Sequence, residues 1–281
     1  MTEKITKPKK GDEAFVDESQ DLDKHDFSLI QLLPNMMTIA ALCAGLTAIR
    51  FGIQGKYVLA VQLILAAAVL DGLDGRVARA LGSESKMGAE LDSLADFLNF
   101  GVAPPLVIYY WALHDAQRWA FLSLQDMRSM AWISVLIYAV CCVVRLARFN
   151  VDTKTPRYNP NKAYFTGVPS PAGALLLLLP MYVSFAFSDA PLLPDVVICA
   201  YMIAIGLLLI SPLKTWSFKT TRVRGDKIML FLVGFAFIGA TLLTYAWLSL
   251  LFLCAGYIFM VIWGLVSPVN EDGTTIIKKE K

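Results

Sequence analysis

The sequence predicts an all-α membrane protein, a bundle of about eight transmembrane helices. Of its 281 residues, 57% are hydrophobic and only 17% are charged, whereas about 25% of the residues of a soluble domain are charged. Eight apolar runs each approach the ~20 residues that a helix needs to span a bilayer. Lysine and arginine are also distributed unequally between alternate loops, as is typical of polytopic membrane proteins.

The eight runs are separated by short polar or charged segments. A short amphipathic stretch at 27–33 precedes the first run, and we expect it to lie in the membrane interface before Pro34 turns the chain. In the third run, Pro104 and Pro105 predict a kink, because proline removes a backbone donor inside a helix. The predicted spans are 35–53, 58–81, 88–112, 130–149, 170–188, 194–212, 228–246 and 249–266.

The distribution of basic residues predicts the orientation. With eight spans and the N-terminus in the cytosol, 21 of the 25 lysines and arginines fall on the cytosolic side. Cytosolic loops of membrane proteins carry such an excess. We therefore expect both ends in the cytosol, with residues 1–26 as a disordered cytosolic tail, 27–268 as the membrane catalytic domain and 269–281 as a cytosolic C-terminal tail.

Composition also excludes several functions. The net charge of +2 and the absence of a basic stripe argue against a nucleic-acid partner. The five cysteines all lie in apolar runs without CxxC or Cys/His spacing, which argues against a zinc site or a disulfide framework. Membrane lipids are the expected surroundings.

Four carboxylates stand out within the second and third spans. Asp71 and Asp74 are three residues apart, and Asp92 and Asp96 are four apart, so each pair shares one face of a helix. Charged groups inside a membrane are costly and mark functional sites by default. Four neighbouring carboxylates also repel one another unless cations lie between them. This spacing predicts a metal site.

The surrounding residues suggest what that site binds. Oxygen ligands without histidine or cysteine favour Mg²⁺ or Mn²⁺, and four acids can hold two such ions about 3.5–4 Å apart. Gly75, Gly88 and Ala78 leave room for a ligand, and Arg79 provides a cation for phosphate oxygens. The pattern favours a diphosphate with a lipid as its organic part.

Two other interpretations compete with the metal site. One interpretation assigns the acids to structural ion pairs with Arg76 and Arg79, but two arginines do not neutralise four carboxylates. A cation or proton transporter also places acids within a helical bundle. That interpretation leaves Arg79 and the two glycines unexplained, and the sequence shows no inverted repeat.

The window Asp71-x2-Asp74-Gly75-x2-Ala78-Arg79-x8-Gly88-x3-Asp92-x3-Asp96 resembles the signature of the CDP-alcohol phosphotransferase family, with eight fixed residues over 26 positions. The resemblance implies a membrane enzyme with two metal ions, which passes the phosphoryl group of a CDP-linked donor to an alcohol and releases CMP. It implies that the four aspartates ligate the metals, that Asp96 is also the general base, and that Gly75, Ala78, Arg79 and Gly88 contact the donor.

Strings outside the signature resemble bacterial membrane-spanning phosphatidylserine synthases. They include Pro34-Asn35-x2-Thr38 in the first span and segments that begin at Asn99, Arg145 and Phe165. The resemblance implies donor contacts at Asn35 and Thr38, CDP-diacylglycerol and L-serine as substrates, a homodimer, and a location in the bacterial inner membrane with the site facing the cytosol. Choline, glycerol 3-phosphate and inositol phosphate remain alternative acceptors.

The end of the fourth span offers candidate acceptor-binding residues. Arg145 and Arg148 share one helix face and are followed by Asn150. A guanidinium holds a carboxylate through two parallel hydrogen bonds, so at least one of these arginines is a candidate for orienting serine. Anchoring of the helix end at the cytosolic interface is the alternative for both.

Overall fold

The computed structural model describes residues 29–114, 124–154, 164–187, 193–211, 214–216 and 243–266, with positions 233, 234, 236 and 239–241. Helices dominate these residues. The α-helices are α1 Leu29–Ile53, α2 Tyr57–Leu81, α3 Lys86–Asp96, α4 Ala103–Ile108, α5 Leu124–Lys154, α6 Ser170–Leu177, α7 Leu179–Phe187, α8 Asp195–Ile210 and α9 Ala246–Val266.

The first two helices form an antiparallel hairpin. A tight turn joins them at Gly55, whose φ of 74° lies in the left-handed region that favours glycine. Helix α1 contains Pro34 and continues through it. The prediction that the chain turns at Pro34 was therefore wrong. One turn after Pro34, the hydroxyl oxygen of Thr38 lies 3.1 Å from the Pro34 carbonyl oxygen.

The third span departs twice from α-helical geometry. A π-helical segment at Phe97–Val102 joins α3 to α4, and a second at Tyr109–Leu113 follows α4. Pro104 and Pro105 lie in the first turn of α4, where a missing backbone donor is tolerated. The span therefore continues through the prolines, with π-helical turns on both sides of a short α-helix, and the kink itself stays a prediction.

Neighbouring helices supply hydrogen bonds to both π-helical segments. The hydroxyl of Tyr138 on α5 donates to the Phe100 carbonyl over 3.1 Å, and that of Tyr57 on α2 donates to the Tyr110 carbonyl over 2.8 Å. Irregular backbone at membrane depth requires such partners. The third span is consequently fixed between α2 and α5.

The core lies between the third span, α5, α6, α7 and α8. Tyr138, Phe100 and Met202 are among its fully buried side chains. By contrast, α9 presents exposed apolar residues, including Phe252 and Phe259. Apolar side chains on the outer surface of a bundle suit contact with lipid tails.

A small β-ribbon, which the sequence pattern did not predict, accompanies the helices. Strand β1 Tyr164–Thr166 pairs antiparallel with β2 Lys214–Trp216. Gly167, with φ of 82°, follows β1, and a side chain there would meet the Leu209 carbonyl oxygen at 2.7 Å. The chain before α6 therefore packs closely against the end of α8.

The fold class is confirmed as a polytopic helical membrane protein. Within the residues that the structure describes, six helical segments are long and apolar enough to span a membrane, and one shorter apolar helix, Asp195–Ile210, adds to them. The predicted span at 228–246 falls largely outside the described residues, so the count of eight stays a prediction. The predicted tails at 1–26 and 269–281 also lie outside them. The six segments are Leu32–Ile53, Tyr57–Leu81, Lys86–Leu113, Arg128–Asp152, Ser170–Phe187 and Ala246–Trp263.

Candidate active site

The turn between α2 and α3 sets the two halves of the aspartate window side by side. Gly82 ends α2 in a left-handed conformation, with φ of 60° and its N–H bonded to the carbonyls of the last turn. Ser85 then caps α3, accepting a hydrogen bond of 2.9 Å from the Gly88 N–H. Only residues 82–85 separate the helices, which keeps the ends of both next to α1.

Three of the four predicted carboxylates converge. Asp71, Asp92 and Asp96 each offer an oxygen, and these oxygens all lie within 4.8 Å of one another. One oxygen of Asp96, Oδ1, is buried without a hydrogen-bond partner in the described part of the chain. Converging carboxylates with an unsatisfied buried oxygen fit a hard divalent cation such as Mg²⁺ or Mn²⁺.

Asp74 lies outside this trio and is the most buried of the four, with 3% of its surface exposed. It accepts a hydrogen bond of 2.7 Å from the Thr38 hydroxyl and one of 2.5 Å from the Gly75 N–H. Its carboxylate therefore joins α1 to α2. Each oxygen retains a lone pair beyond its hydrogen bond.

A pocket of about 350 Å³ opens between α1, α2 and α3. This pocket is lined by all six residues that the sequence analysis assigned to donor binding, together with two of the aspartates. They come from three helices, and the N-terminal turn of α3 closes one end. The lining residues are Pro34, Asn35, Thr38, Asp74, Gly75, Ala78, Arg79, Ser83, Glu84, Ser85, Gly88, Ala89 and Asp92.

The two glycines of the pocket have different surroundings. A Cβ atom added at Gly75 meets no atom within 4 Å, so this glycine leaves open space. One added at Gly88 meets Asn35 Oδ1 at 2.7 Å and Ser85 Oγ at 3.0 Å. Gly88 thus permits the close packing of α1 on α3, whereas Gly75 lies against the open pocket.

A second, smaller pocket of about 180 Å³ lies between α3 and α5. Asp92 and Ala89 line both pockets, and Asp96 lines the second. The side chain of Asn150 on α5 crosses to α3, its Nδ2 donating a hydrogen bond of 3.1 Å to Ser93 Oγ. The remaining lining residues are Glu90, Ser93, Leu146, Phe149 and Asn150.

The structure separates the two arginines of α5. Arg145 is half-buried, its Nη1 donating a hydrogen bond of 2.8 Å to Ser170 Oγ, and its guanidinium lies 5.5 Å from the centre of the Phe149 ring. It is also close enough to Asp96 to interact electrostatically. Neither arginine lines a pocket, but Arg148 is exposed, whereas Arg145 lies near Asp96. Arg145 and Asn150 thus face the aspartates, and Arg148 does not.

A family model described as CDP-alcohol phosphatidyltransferase matches residues 31–216, which is most of the chain and includes every residue of both pockets.

The chain belongs to the CDP-alcohol phosphatidyltransferase family.

Several curated members of this family are similar in sequence. Each is named CDP-diacylglycerol–serine O-phosphatidyltransferase. The protein from Mycobacterium leprae is 41% identical over 69% of this chain and 61% of its own length, and that from Mycobacterium bovis is 48% identical over 53% and 48%. The Helicobacter pylori protein (strain 26695) is 30% identical over 69% and 75%. The matched region thus spans about half to three fifths of the mycobacterial relatives.

Several residues of this family member escaped sequence reasoning. Ser85 carries an ordinary N-cap signal, a serine directly before a helical pattern, and that signal was available. Ser93 and Ser170 had no comparable signal, because their roles depend on which helices pack together. Ser93 contacts Asn150, and Ser170 contacts Arg145.

Proposed function

We propose that this protein transfers the phosphatidyl group of CDP-diacylglycerol to the hydroxyl of L-serine, giving phosphatidylserine and CMP. Membership of the CDP-alcohol phosphatidyltransferase family supports the reaction class. The names of the relatives from Mycobacterium and Helicobacter support serine as the acceptor.

One observation carries the proposal: Asp92 lines both pockets. A transfer reaction needs two substrates that meet at one set of reacting atoms. The pocket of about 350 Å³ suits a nucleotide, and that of about 180 Å³ suits a small alcohol. Since the carboxylate trio includes Asp92, the two pockets meet at the candidate metal site.

The larger pocket has the chemistry of a CDP site. Arg79 supplies a cation for the diphosphate, and Gly75 and Ala78 allow the nucleotide to approach the helix backbone. Asn35 and Thr38 line the facing wall. The donor's acyl chains then extend into the membrane that surrounds the helices.

Asp71, Asp92 and Asp96, with Asp74 beside them, would hold two divalent ions. Such ions, when bound, stabilise negative charge on phosphoryl oxygens. Asp74 is held by Thr38 and Gly75, which fixes its direction relative to the trio. The oxygen-only donor set favours Mg²⁺ or Mn²⁺.

Asp96 is the proposed general base. It accepts the proton of the serine hydroxyl, and the serine oxygen attacks the phosphorus that carries diacylglycerol. The new oxygen–phosphorus bond forms as the bond to the CMP oxygen breaks, and CMP leaves with the electron pair. Asp96 suits this role because it belongs to the trio and also lines the smaller pocket.

Arg145 and Asn150 are the proposed acceptor-binding residues. Arg145 has hydrogen-bond donors suited to the serine carboxylate, and Asn150 borders the smaller pocket. Arg148 is exposed, and we assign it to anchoring of the helix end. The site faces the cytosol of a bacterial inner membrane in this proposal, because 21 of 25 basic residues fall on that side. A homodimer is part of the proposal on the family resemblance alone.

The test is CMP release by the purified protein in detergent, with CDP-diacylglycerol and one of four acceptors: serine, choline, glycerol 3-phosphate or inositol phosphate. Serine should be strongly preferred, and EDTA should abolish activity until Mg²⁺ or Mn²⁺ is restored. Preference for another acceptor would contradict the serine assignment, but the reaction class would still stand. CMP release that survives chelation would contradict the metal site.

Variants test the individual carboxylates. Asp71→Asn, Asp74→Asn and Asp92→Asn should be inactive yet folded, because asparagine is nearly isosteric and removes a repulsive charge. Asp96→Asn should lower turnover by at least ~10²-fold, the range for a lost general base, while donor binding largely persists. Asp152→Asn is the matched control, since Asp152 is an exposed acid near the end of α5 and lines neither pocket.

A further inference from the structure

One tyrosine of the last helix has a buried hydroxyl without a hydrogen-bond partner in the described part of the chain. It is Tyr257 of α9. A buried hydroxyl that lacks a partner is unfavourable. Such a group in a native structure calls for an explanation, for example a catalytic role or a bound water or ion. Tyr257 also lies beyond residue 216, where the match to the family model ends.

Contacts along α9 fix the direction in which Tyr257 lies. Trp247, near the start of α9, stacks with Tyr182 on α7, with ring centres 6.3 Å apart. Two turns further along α9, Cys254 Sγ donates a hydrogen bond of 3.6 Å to the Leu175 carbonyl of α6. Advancing along α9 therefore means moving back along α7 and α6, so the helices are antiparallel.

Tyr257 lies one turn beyond Cys254 in this series of contacts along α9. It shares a helix face with Cys254, three residues earlier, and the next turn of α6 begins at Ser170. Ser170 is fully buried and accepts the hydrogen bond from Arg145. Tyr257 and Arg145 are also close enough to interact electrostatically. The last helix thus reaches the arginine that we assign to the acceptor.

Arg145 retains donors for a ligand. A guanidinium carries five N–H donors, and in the described part of the chain one hydrogen bond, to Ser170 Oγ, engages them. Arg145 interacts electrostatically both with Asp96 of the carboxylate trio and with Tyr257 of α9. A group bound between these residues would meet N–H and O–H donors at a short distance from the proposed base.

We infer that Tyr257 binds the acceptor, its hydroxyl donating a hydrogen bond to the carboxylate that Arg145 also holds. This inference rests on the proposed function and extends it to the last helix. An anionic oxygen is the ligand that this set of donors recognises, and one guanidinium matches the single charge of a carboxylate. A phosphate of the donor has the same kind of oxygen, but Arg79 in the larger pocket already serves it.

The experiment compares Tyr257→Phe with Tyr182→Phe. Tyr182 is a matched control because its hydroxyl is also buried without a partner in the described residues, but it packs against Trp247 and, unlike Tyr257, has no electrostatic interaction with Arg145. The measurements are KM for serine, KM for CDP-diacylglycerol, and the preference for serine over ethanolamine, which lacks the carboxylate. The melting temperature of each variant in detergent completes the set.

Tyr257→Phe should raise the serine KM about 10-fold or more, the range for a lost hydrogen bond to a charged group. The KM for CDP-diacylglycerol should stay unchanged, the preference for serine over ethanolamine should fall, and the melting temperature should not drop. Tyr182→Phe should behave as wild type in every measurement.

Failure of the inference differs from failure of the proposed function. Wild-type protein that releases no CMP with serine contradicts the proposed function itself. An active wild type with an unchanged serine KM in Tyr257→Phe contradicts the inference alone. A rise in the KM for CDP-diacylglycerol, alone or to the same extent as that for serine, also overturns it, because the hydroxyl would then serve the donor or the fold.

Discussion

Thr38 on α1 donates its hydroxyl proton to the buried carboxylate of Asp74 on α2 over 2.7 Å. The same hydroxyl contacts the Pro34 carbonyl at 3.1 Å, so one side chain joins a proline-containing turn to the aspartate window. Thr38 and Asp74 both line the larger pocket. The direction of the Asp74 carboxylate therefore depends on α1 as well as on its own helix.

Replacing Thr38 with valine should lower kcat/KM for CDP-diacylglycerol by roughly 10- to 100-fold. Valine has nearly the same shape but leaves one carboxylate oxygen without its partner, and a hydrogen bond to a charged group contributes about 1.5–3 kcal/mol. The measurement is CMP release at varied donor concentration. Thr38→Ser keeps the hydroxyl and should retain most activity, whereas equal losses in the two variants would contradict a role for the hydrogen bond.

Alanine at Gly75 should weaken donor binding by roughly 10-fold, about 1.4 kcal/mol, without lowering the melting temperature. The added methyl group enters open pocket space, where it meets no protein atom within 4 Å, and alanine favours a helix over glycine. Gly72 provides the control because it lies on the same helix, also with no atom within 4 Å, but outside the pocket. Gly72→Ala should leave the donor KM unchanged.

Alanine at Gly88 should instead lower stability. Its methyl group would lie 2.7 Å from Asn35 Oδ1 and 3.0 Å from the capping oxygen of Ser85, so these side chains or the two helices must shift. Overpacking of this kind costs about 1–3 kcal/mol. Thermal unfolding in detergent measures it, and a melting temperature equal to that of the wild type would contradict the close packing of the two helices.

Arg145→Lys should raise the serine KM sharply, because an ammonium group cannot hold a carboxylate through two parallel hydrogen bonds. The KM for CDP-diacylglycerol should change little. Arg148→Lys is the matched control, because Arg148 is exposed and lies three residues further along α5. It should leave both constants unchanged. Equal effects of the two substitutions would restore the alternative that both arginines anchor the helix end.

The orientation is testable at two described turns. Reporter fusions truncated after residue 84, between α2 and α3, should report the cytosol, and fusions after residue 55, between α1 and α2, should report the opposite side. The reason is the excess of basic residues on one side of the membrane. A reversed pattern would place the candidate site outside the cytosol and contradict its access to a cytosolic acceptor.

Helical spacing was enough to predict that the four aspartates share two neighbouring faces, because a three- or four-residue interval has one meaning on a helix. It did not predict that Asp74 turns toward Thr38 while Asp71 joins Asp92 and Asp96. That division depends on how α1 packs against α2. Sequence spacing within one helix contains no information about that contact.

The missed features have related causes. The π-helical turns at Phe97–Val102 and Tyr109–Leu113 are satisfied by tyrosines 38 and 53 residues away in sequence, so no local pattern predicts them. Tyr257 is one tyrosine within a uniformly apolar run. Its relation to Arg145 becomes visible only once α9 is placed against α6.

The two pockets share only Ala89 and Asp92, and each opens between different helices. A lipid nucleotide held between α1, α2 and α3 therefore leaves the space between α3 and α5 open. Neither substrate needs to pass through the other's compartment to reach the reacting atoms. For steady-state kinetics, the proposed function then predicts a sequential mechanism without compulsory order of addition, in which CMP competes with the nucleotide lipid and not with the amino acid.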